Sequence, residues 1–391
     1  MKVLFWMSSS FDRKTASEHL LMAVVEALYE QGHTVHIIQK DTGGPLPKLP
    51  AKLERLGVTT QCIPFVAAQK RHLIARYLAD IKYVCACRKY ICKDVYGAAF
   101  MQSTNVAGFV MYMLKHRLLG VPVTYNVQDI FPDNAGFSGS LKKGSLPYKV
   151  LAKIQRYAYK KADHLITISE DMRDLLITDG ALAEKTEVIY NWSYQDTPYD
   201  AKELDCTVAR SLFPAETFNV VYAGNIGVMQ NVDLLLQTAA LMKDIADVAF
   251  HIVGDGACKE KLQNIAREQD LSNVMFHPMQ SSDLAPSLYM TADINVIPLV
   301  EGVYRTALPS KTATCLACGK PIIFCIGKDA KFARLAEKEA ACICLDSNDP
   351  QGLKDAILTL RIKQAGDMDA FFASKFKRSV NSMRYAEIIS N

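Results

Sequence analysis

A chain of 391 residues with 50% hydrophobic and 22% charged residues has globular composition, which excludes a disordered protein. It is too long for one ordinary core and predicts two domains of roughly 150–200 residues each. No apolar run reaches the roughly 18 residues of a membrane span; the nearest, Val106 to Tyr125, is broken by Lys115, His116 and Arg117. The net charge of +4 is uneven: residues 1–190 hold 25 Lys and Arg against 17 Asp and Glu, and residues 191–391 hold 20 against 24. The front half is therefore the basic half.

The apolar start, Met1 to Met7, is short and runs into Ser8–Ser10, then Asp12 and Arg13. It reads as a buried first strand rather than a signal peptide. Eleven cysteines, odd in number and scattered through apolar segments, suit a reduced cytoplasmic chain. Cys315 and Cys318 form a CxxC with no second pair at zinc-like spacing. No metal is expected there, only small buried residues on one helix.

The elements follow in order. Lys2 to Trp6 is an apolar run followed by a polar loop. Glu18 to Gln31 has helical spacing at Leu20, Leu21, Val24, Val25 and Leu28, Gly32 ends it, and Thr34 to Ile38 is the next strand. This is the opening of a doubly wound α/β domain. Strands at Ala98–Met101, Val121–Asn126, His164–Ile168 and Glu187–Tyr190 continue it, with a helix from about Ala107. After a polar stretch, Ser193 to Asp205, the pattern restarts. Strands are predicted at Phe218–Ala223, Val248–Val253, Val274–Phe276, Ile294–Ile297, Pro321–Phe324 and Ala341–Leu345, with a helix around Val232–Met242. The hinge falls near residues 191–215.

Ligands of open α/β sheets bind at the carboxyl ends of the strands. In the second domain those ends carry Gly224-Asn-Ile-Gly227, Gly254-Asp-Gly256 and the segment from Glu301 to Lys311. Glycines there allow close backbone approach to a ligand. Ser310 can cap a helix beginning after Pro309. Lys311 in its first turn is misplaced for an ordinary helix and sensible beside a phosphate. A plain strand–helix–strand unit with a surface lysine explains the same spacing.

The order Tyr222-Ala-Gly-Asn-Ile-Gly227, Ile252-Val-Gly-Asp-Gly256, Ala292-Asp293 before a strand and Pro298, and Pro309-Ser-Lys311 with Leu316-Ala-Cys-Gly-Lys-Pro321 resembles the second domain of glycosyltransferase family 4. Asn126-Val-Gln-Asp-Ile-Phe-Pro-Asp133 is similar to the first-domain loop of its bacterial capsule and exopolysaccharide branch, near the fucosamine-transferase-like members. The resemblance covers nearly the whole chain. It implies a GT-B fold of two Rossmann-like α/β domains with the active site in the cleft between them. Residues 1–195 would form the acceptor-binding domain, completed by a C-terminal helix at about 370–391 that crosses back onto it. Residues 196–369 would form the nucleotide-sugar domain. It further implies a retaining transferase of the hexosyltransferase class, with no cofactor and no obligatory metal.

The chain departs from the family at Asn225 and Gln230, where many members carry Arg and Lys, and at Thr306 and Thr314, where many carry glutamates. Glu301 is the nearest acid, and Gln128 precedes Asp129 where many members have His. The phosphate charge then falls on Lys311, with Arg305 as a further candidate.

On this reading Lys311, Ser310 and the loop of Gly224, Asn225 and Gly227 stabilise the departing nucleoside diphosphate, with Gly254 beside them. The base lies near Phe276–Met279, held largely by backbone groups, and the donor sugar meets Thr306–Leu308. Asp129 orients or deprotonates the acceptor hydroxyl, with Ser9, Ser10 and Gln128 as acceptor contacts. Asp129 as a loop cap and Ser8–Ser10 as a simple turn are the bland alternatives. A sugar-nucleotide 2-epimerase, a non-catalytic glycosyltransferase-like subunit and a nicotinamide dehydrogenase are the rival functions. The last lacks a GxGxxG after the first strand.

Partners are then a nucleotide sugar and a glycan or polyprenyl-linked glycan, with no nucleic acid. Gln69 to Lys93 holds seven Lys and Arg against Asp80, interleaved with Leu73, Ile74, Tyr77, Leu78, Ile81, Val84 and Cys85. It reads either as a basic helix on an anionic membrane, which would make the protein peripheral on the inner face of the plasma membrane, or as an ordinary packed helix.

Overall fold

The computed structural model describes residues 1–13, 15, 17–66, 73–92, 95–340, 342–362 and 368–391. They form two compact units: Met1–Asn191 with Arg378–Asn391, and Trp192–Lys377.

The first unit is built on seven parallel strands in the order β3-β2-β1-β4-β5-β6-β7. They are β1 (Lys2–Trp6), β2 (Thr34–Asp41), β3 (Thr59–Pro64), β4 (Ala98–Met101), β5 (Val123–Val127), β6 (His164–Thr167) and β7 (Thr186–Val188). All four residues of β4 and all five of β5 are buried, the unbroken apolar pattern of strands covered on both faces. β3 was not expected from sequence. It is an edge strand, mostly half-exposed, so its Thr-Thr-Gln-Cys run lacks that apolar signal.

The connecting helices pack against the sheet and against one another. The Glu18–Glu30 helix packs against Arg378–Ser390, and the Ala107–Arg117 helix packs against Leu73–Cys87 and Leu146–Lys161. The stretch expected as one C-terminal helix is two, Asp369–Lys375 and Arg378–Ser390, and only the second joins the first unit. Asn381 Nδ2 donates to Tyr190 O at 2.9 Å, and the buried Tyr385 hydroxyl to Asn126 Oδ1 at 3.1 Å. These bonds anchor the returning chain to β5 and to the segment after β7. The helix foreseen over Gln69 to Lys93 spans Leu73–Cys87 and is followed by a short 3-10 turn; Gln69–His72 and Lys93 lie outside the described residues.

The second unit has six parallel strands in the order β10-β9-β8-β11-β12-β13. They are β8 (Phe218–Ala223), β9 (Val248–Val253), β10 (Val274–His277), β11 (Ile294–Pro298), β12 (Ile322–Cys325) and β13 (Ile343–Leu345). Val220, Tyr222, Phe250, Ile252, Val296 and Ile323 lie at the centre of its core. β8 pairs with both β9 and β11, so the strand order reverses there. The crevice at such a switch point is where open α/β sheets bind ligands.

Candidate active site

Gly224 follows β8 at this switch point. Its φ is +144° and that of Gly256 is +155°, conformations that L side chains rarely adopt. The approach is also close: a Cβ on Gly254 would stand 1.9 Å from Gly224 O. The backbones of the Gly224–Gly227 and Gly254–Gly256 loops are laced together, with Ile226 N–H donating to Asp255 O at 2.8 Å and Cys258 N–H to Ile226 O at 3.0 Å. Gly224 N–H bonds Val253 O at 2.9 Å and Gly254 N–H bonds His277 O at 3.2 Å. These amides are therefore held within the sheet. That narrows the expectation of a ring of backbone donors and leaves more of an anion's charge to side chains.

Lys311 supplies such a side chain. Its ammonium donates to Ala223 O at 2.5 Å and lies 3.8 Å from the Tyr222 ring centroid. A Cβ on Gly224 would come within 2.8 Å of Nζ. The Tyr222 hydroxyl donates to Asn225 O at 2.5 Å, which fixes the ring. Among the described residues no carboxylate pairs with Lys311, and burial pushes its pKa down to about 8. A cation held by one carbonyl and an aromatic face is incompletely compensated, and an anion would complete it.

The short helix after it runs Thr312–Ala317, with Lys311 itself at the N-cap position and no side-chain cap. Ser310 is exposed, so the predicted Ser310 cap is corrected. Asn225 Nδ2 donates to Gln230 Oε1 at 3.1 Å, a neutral pair where the family resemblance implies cations. Arg305 leans toward Asp329, 3.8 Å away, and donates to the Tyr304 hydroxyl at 3.1 Å. The Tyr304 hydroxyl in turn donates to Asp329 at 2.6 Å, so Arg305 is drawn into a local cluster.

Thr306 is buried, with its hydroxyl on Val303 O at 3.0 Å, and Leu308 is buried beside it. Thr314 is buried too, while Glu301 is exposed. The Phe276 side chain packs against the core, so its ring is not free to stack on a base, while Met279 is exposed. Sequence reasoning missed Lys259. Its ammonium donates to Gly254 O at 2.7 Å and His277 O at 3.3 Å, tying the ends of β9 and β10. A lysine in the first turn of the Lys259–Glu268 helix, where acids are favoured, was the available signal.

The carboxyl edge of the first sheet is more tightly closed than expected. Gln102 Oε1, after β4, accepts from Ser8 N–H at 2.9 Å and from Ser9 N–H and Oγ at 3.2 and 3.0 Å, while the Ser8 hydroxyl donates to Ser103 O at 2.7 Å. Ser10 is buried and its hydroxyl donates to Asp12. Asp12 also accepts from Thr42 N–H and Oγ1 at 2.8 Å each and Gly44 N–H at 3.2 Å, and pairs with Lys48. Burial would raise its pKa, but these bonds outweigh it and hold the carboxyl far below the usual range. Ser10 is thus a loop-organising residue, which corrects its reading as an acceptor contact, and the Ser9 hydroxyl proton is engaged within the loop.

Gln128 is likewise clamped, donating to Asn126 Oδ1 at 2.9 Å and accepting from Asn191 Nδ2 at 2.7 Å. Asp129 remains exposed, and its N–H donates to Ser103 Oγ at 3.4 Å. Desolvation by the surrounding atoms raises its carboxyl pKa although the residue itself is exposed.

Residues 17–192 match the family described as Glycosyl transferase 4-like domain, and residues 217–361 match that described as Glycosyl transferases group 1. The chain is 26% identical over 340 residues to the probable glycosyltransferase WbjE of Pseudomonas aeruginosa, covering 85% of this chain and 82% of that protein. It is 26% identical over 252 residues to the putative colanic acid biosynthesis glycosyl transferase WcaI of Escherichia coli strain K12, covering 62% and 61%. Anabaena Alr3699/HepE, solved with UDP and glucose, superposes with a TM-score of 0.71 at 18% identity over 100% of this chain and 99% of that one. WaaG, a glycosyltransferase involved in lipopolysaccharide biosynthesis, gives 0.71 at 14% identity over 100% of both. The two Rossmann-like units have the GT-B fold of these glycosyltransferases.

Proposed function

We propose that this chain, a two-domain glycosyltransferase of polysaccharide biosynthesis, moves a sugar from a nucleotide-sugar donor to a lipid-linked glycan with retention of anomeric configuration. The observation that carries the donor side is Lys311: an enclosed ammonium with no acidic partner among the described residues, set at the switch point of the second sheet. When the bond to the nucleotide breaks, negative charge grows on the leaving phosphate. A fixed cation there lowers the barrier without reorganising.

Gly224, Asn225 and Gly227 line the approach, with Gly254 behind them and Ser310 offering an exposed hydroxyl. The backbone from Phe276 to Met279 receives the base, and the segment from Thr306 to Leu308 receives the sugar. Thr306 and Leu308 are buried, so they shape that subsite from beneath. In the first unit Asp129 orients the acceptor hydroxyl, and its raised pKa suits a group that takes up a proton as the bond forms. Gln128, clamped between Asn126 and Asn191, holds the loop that presents it. No metal ion is required by this assignment.

The relative named for colanic acid biosynthesis supports a polysaccharide acceptor, and the neighbour solved with UDP and glucose makes UDP-glucose the first donor to test. The test is a screen of UDP-, GDP- and dTDP-sugars for release of nucleoside diphosphate, with Lys311→Ala as background and the product anomer read by NMR. Turnover of one donor well above background supports the reading. No donor above the Lys311→Ala background overturns it, and an inverted anomer overturns retention.

A further inference from the structure

Lys259 stands in the first turn of the Lys259–Glu268 helix, where the positive end of the helix opposes an ammonium. The residue is half-buried. Its ammonium donates to two carbonyls, Gly254 O at 2.7 Å and His277 O at 3.3 Å, and among the described residues it pairs with no carboxylate. The shorter contact is a charge-assisted bond, the stronger kind. Two carbonyls therefore hold this cation against the helix field.

Those carbonyls control the end of β10. β10 is the edge strand of the second sheet, paired with β9, and that ladder stops at His277 opposite Val253. Pro278 has no N–H to extend it, and Gln280 Nε2 folds back on Pro278 O at 3.1 Å. Pro278 and Met279 are exposed, so their place depends on how His277 is anchored.

His277 is anchored twice. Its carbonyl accepts from Gly254 N–H at 3.2 Å and from Lys259. Its ring lies 3.0 Å from His251 Nδ1. Asn219 Nδ2 donates to Pro214 O and Thr217 O at 3.0 and 2.9 Å, so its oxygen accepts from His251 Nε2 at 2.9 Å. The His251 ring, held neutral by burial, must then accept at Nδ1, and His277 Nε2 donates. The fully buried His251 pins the ring, and Lys259 pins the carbonyl.

A nucleotide seated at Lys311 would carry its base to this end of the strand. Lys311 lies at the end of β8, and β10 is two strands away across β9, about 10 Å at ordinary strand spacing. That is within the length of a nucleoside diphosphate. A base there meets the exposed backbone of Pro278 and Met279. Telling one base from another requires those backbone groups in register, because a mismatched polar group is left unpaired. We propose that Lys259 is the positioning residue for base selection: it makes no contact with the donor and fixes the backbone that reads the base. The assignment rests on the donor site proposed above.

The test is calorimetric binding of UDP, GDP, ADP and dTDP, and of inorganic pyrophosphate, to the full chain. Wild type should prefer one base. Lys259→Met should weaken the preferred nucleotide about tenfold, the worth of one charge-assisted hydrogen bond, and narrow its lead over the others by a similar factor. Pyrophosphate carries the charge without the base, and should bind Lys259→Met as it binds wild type. Lys311→Ala should lose pyrophosphate as well, which separates the two lysines. Lys259→Arg keeps both donations and should keep the preference. A cooperative thermal transition shows that each variant is folded. Wild-type base preference in Lys259→Met, or pyrophosphate weakened as much as the nucleotide, overturns the assignment and leaves Lys311 at the phosphate. A wild type indifferent to the base overturns it equally. A wild type that binds none of the four nucleotides overturns the donor site itself, and this assignment falls with it.

Discussion

The Lys311 ammonium lies 3.8 Å from the centre of the Tyr222 ring, where a cation–π contact and one carbonyl stand in for a counter-ion. That arrangement sets function against stability. Lys311→Met should lower turnover by about 10²–10³. The same change should stabilise the ligand-free protein, because it removes an enclosed charge whose pKa is pushed down to about 8. The upper limit of the gain is about 3 kcal/mol at neutral pH, reduced because the side chain keeps some solvent contact. A surface lysine on a plain strand–helix–strand unit, the alternative reading of the spacing, would leave stability unchanged. Thermal melting of the two proteins without ligand decides between them.

The same group sets a pH dependence. Lys311 must be protonated to stabilise phosphate charge, so kcat/KM for the donor should fall as pH rises through about 8. Bound phosphate favours the ammonium, so nucleoside diphosphate binding near that pH should take up protons. Calorimetry in buffers of different ionisation enthalpy measures this directly. The stability linkage runs the other way. Above about pH 8 the unfolded chain holds a proton the folded chain has lost, so this lysine's contribution to stability rises with pH. No proton uptake on binding removes Lys311 from the phosphate site.

Two glycines at the same switch point should fail differently. Gly254→Ala puts a methyl 1.9 Å from the Gly224 carbonyl oxygen, a backbone atom that cannot move without parting β8 from β9. We expect a loss of about 3 kcal/mol, the upper end of ordinary overpacking penalties. Gly224→Ala meets the flexible tip of Lys311 at 2.8 Å and carries a strain cost of about 1–3 kcal/mol for its φ. Its main effect should be displacement of the ammonium, seen as weaker nucleoside diphosphate binding. Urea denaturation and binding titrations on both variants separate the two effects.

The sheets were largely legible because parallel strands read as apolar runs: Val248–Val253 is buried at all six positions. The glycine loops and Lys311 were legible as residues at strand ends. What failed was non-local. Ser8 and Ser9 turn inward because Gln102, more than ninety positions away, offers its amide oxygen to both backbone N–H groups and the Ser9 hydroxyl. Nothing local to Ser10 marks it as a ligand of Asp12. The C-terminal stretch, one helix by the family resemblance, breaks between Lys375 and Arg378.

The second unit should also be acid-sensitive through a histidine pair. His251 on β9 is fully buried, its Nδ1 3.0 Å from His277 Nε2 and its Nε2 2.9 Å from Asn219 Oδ1. Phe213 covers both rings. Burial first, then the neighbouring His277, push the His251 pKa down to about 4, so the folded unit holds it neutral. The unfolded chain takes up that proton near the ordinary histidine value of about 6.5. Stability from this group is therefore complete above about pH 6.5 and is lost as pH falls toward 4. The difference is worth about 3 kcal/mol at most. His251→Gln keeps a donor for Asn219 but removes the titration. It should lower stability at neutral pH and flatten the acid limb between pH 6.5 and 4. Urea midpoints of wild type and variant across that range measure it, and two parallel acid limbs would assign the loss to other groups.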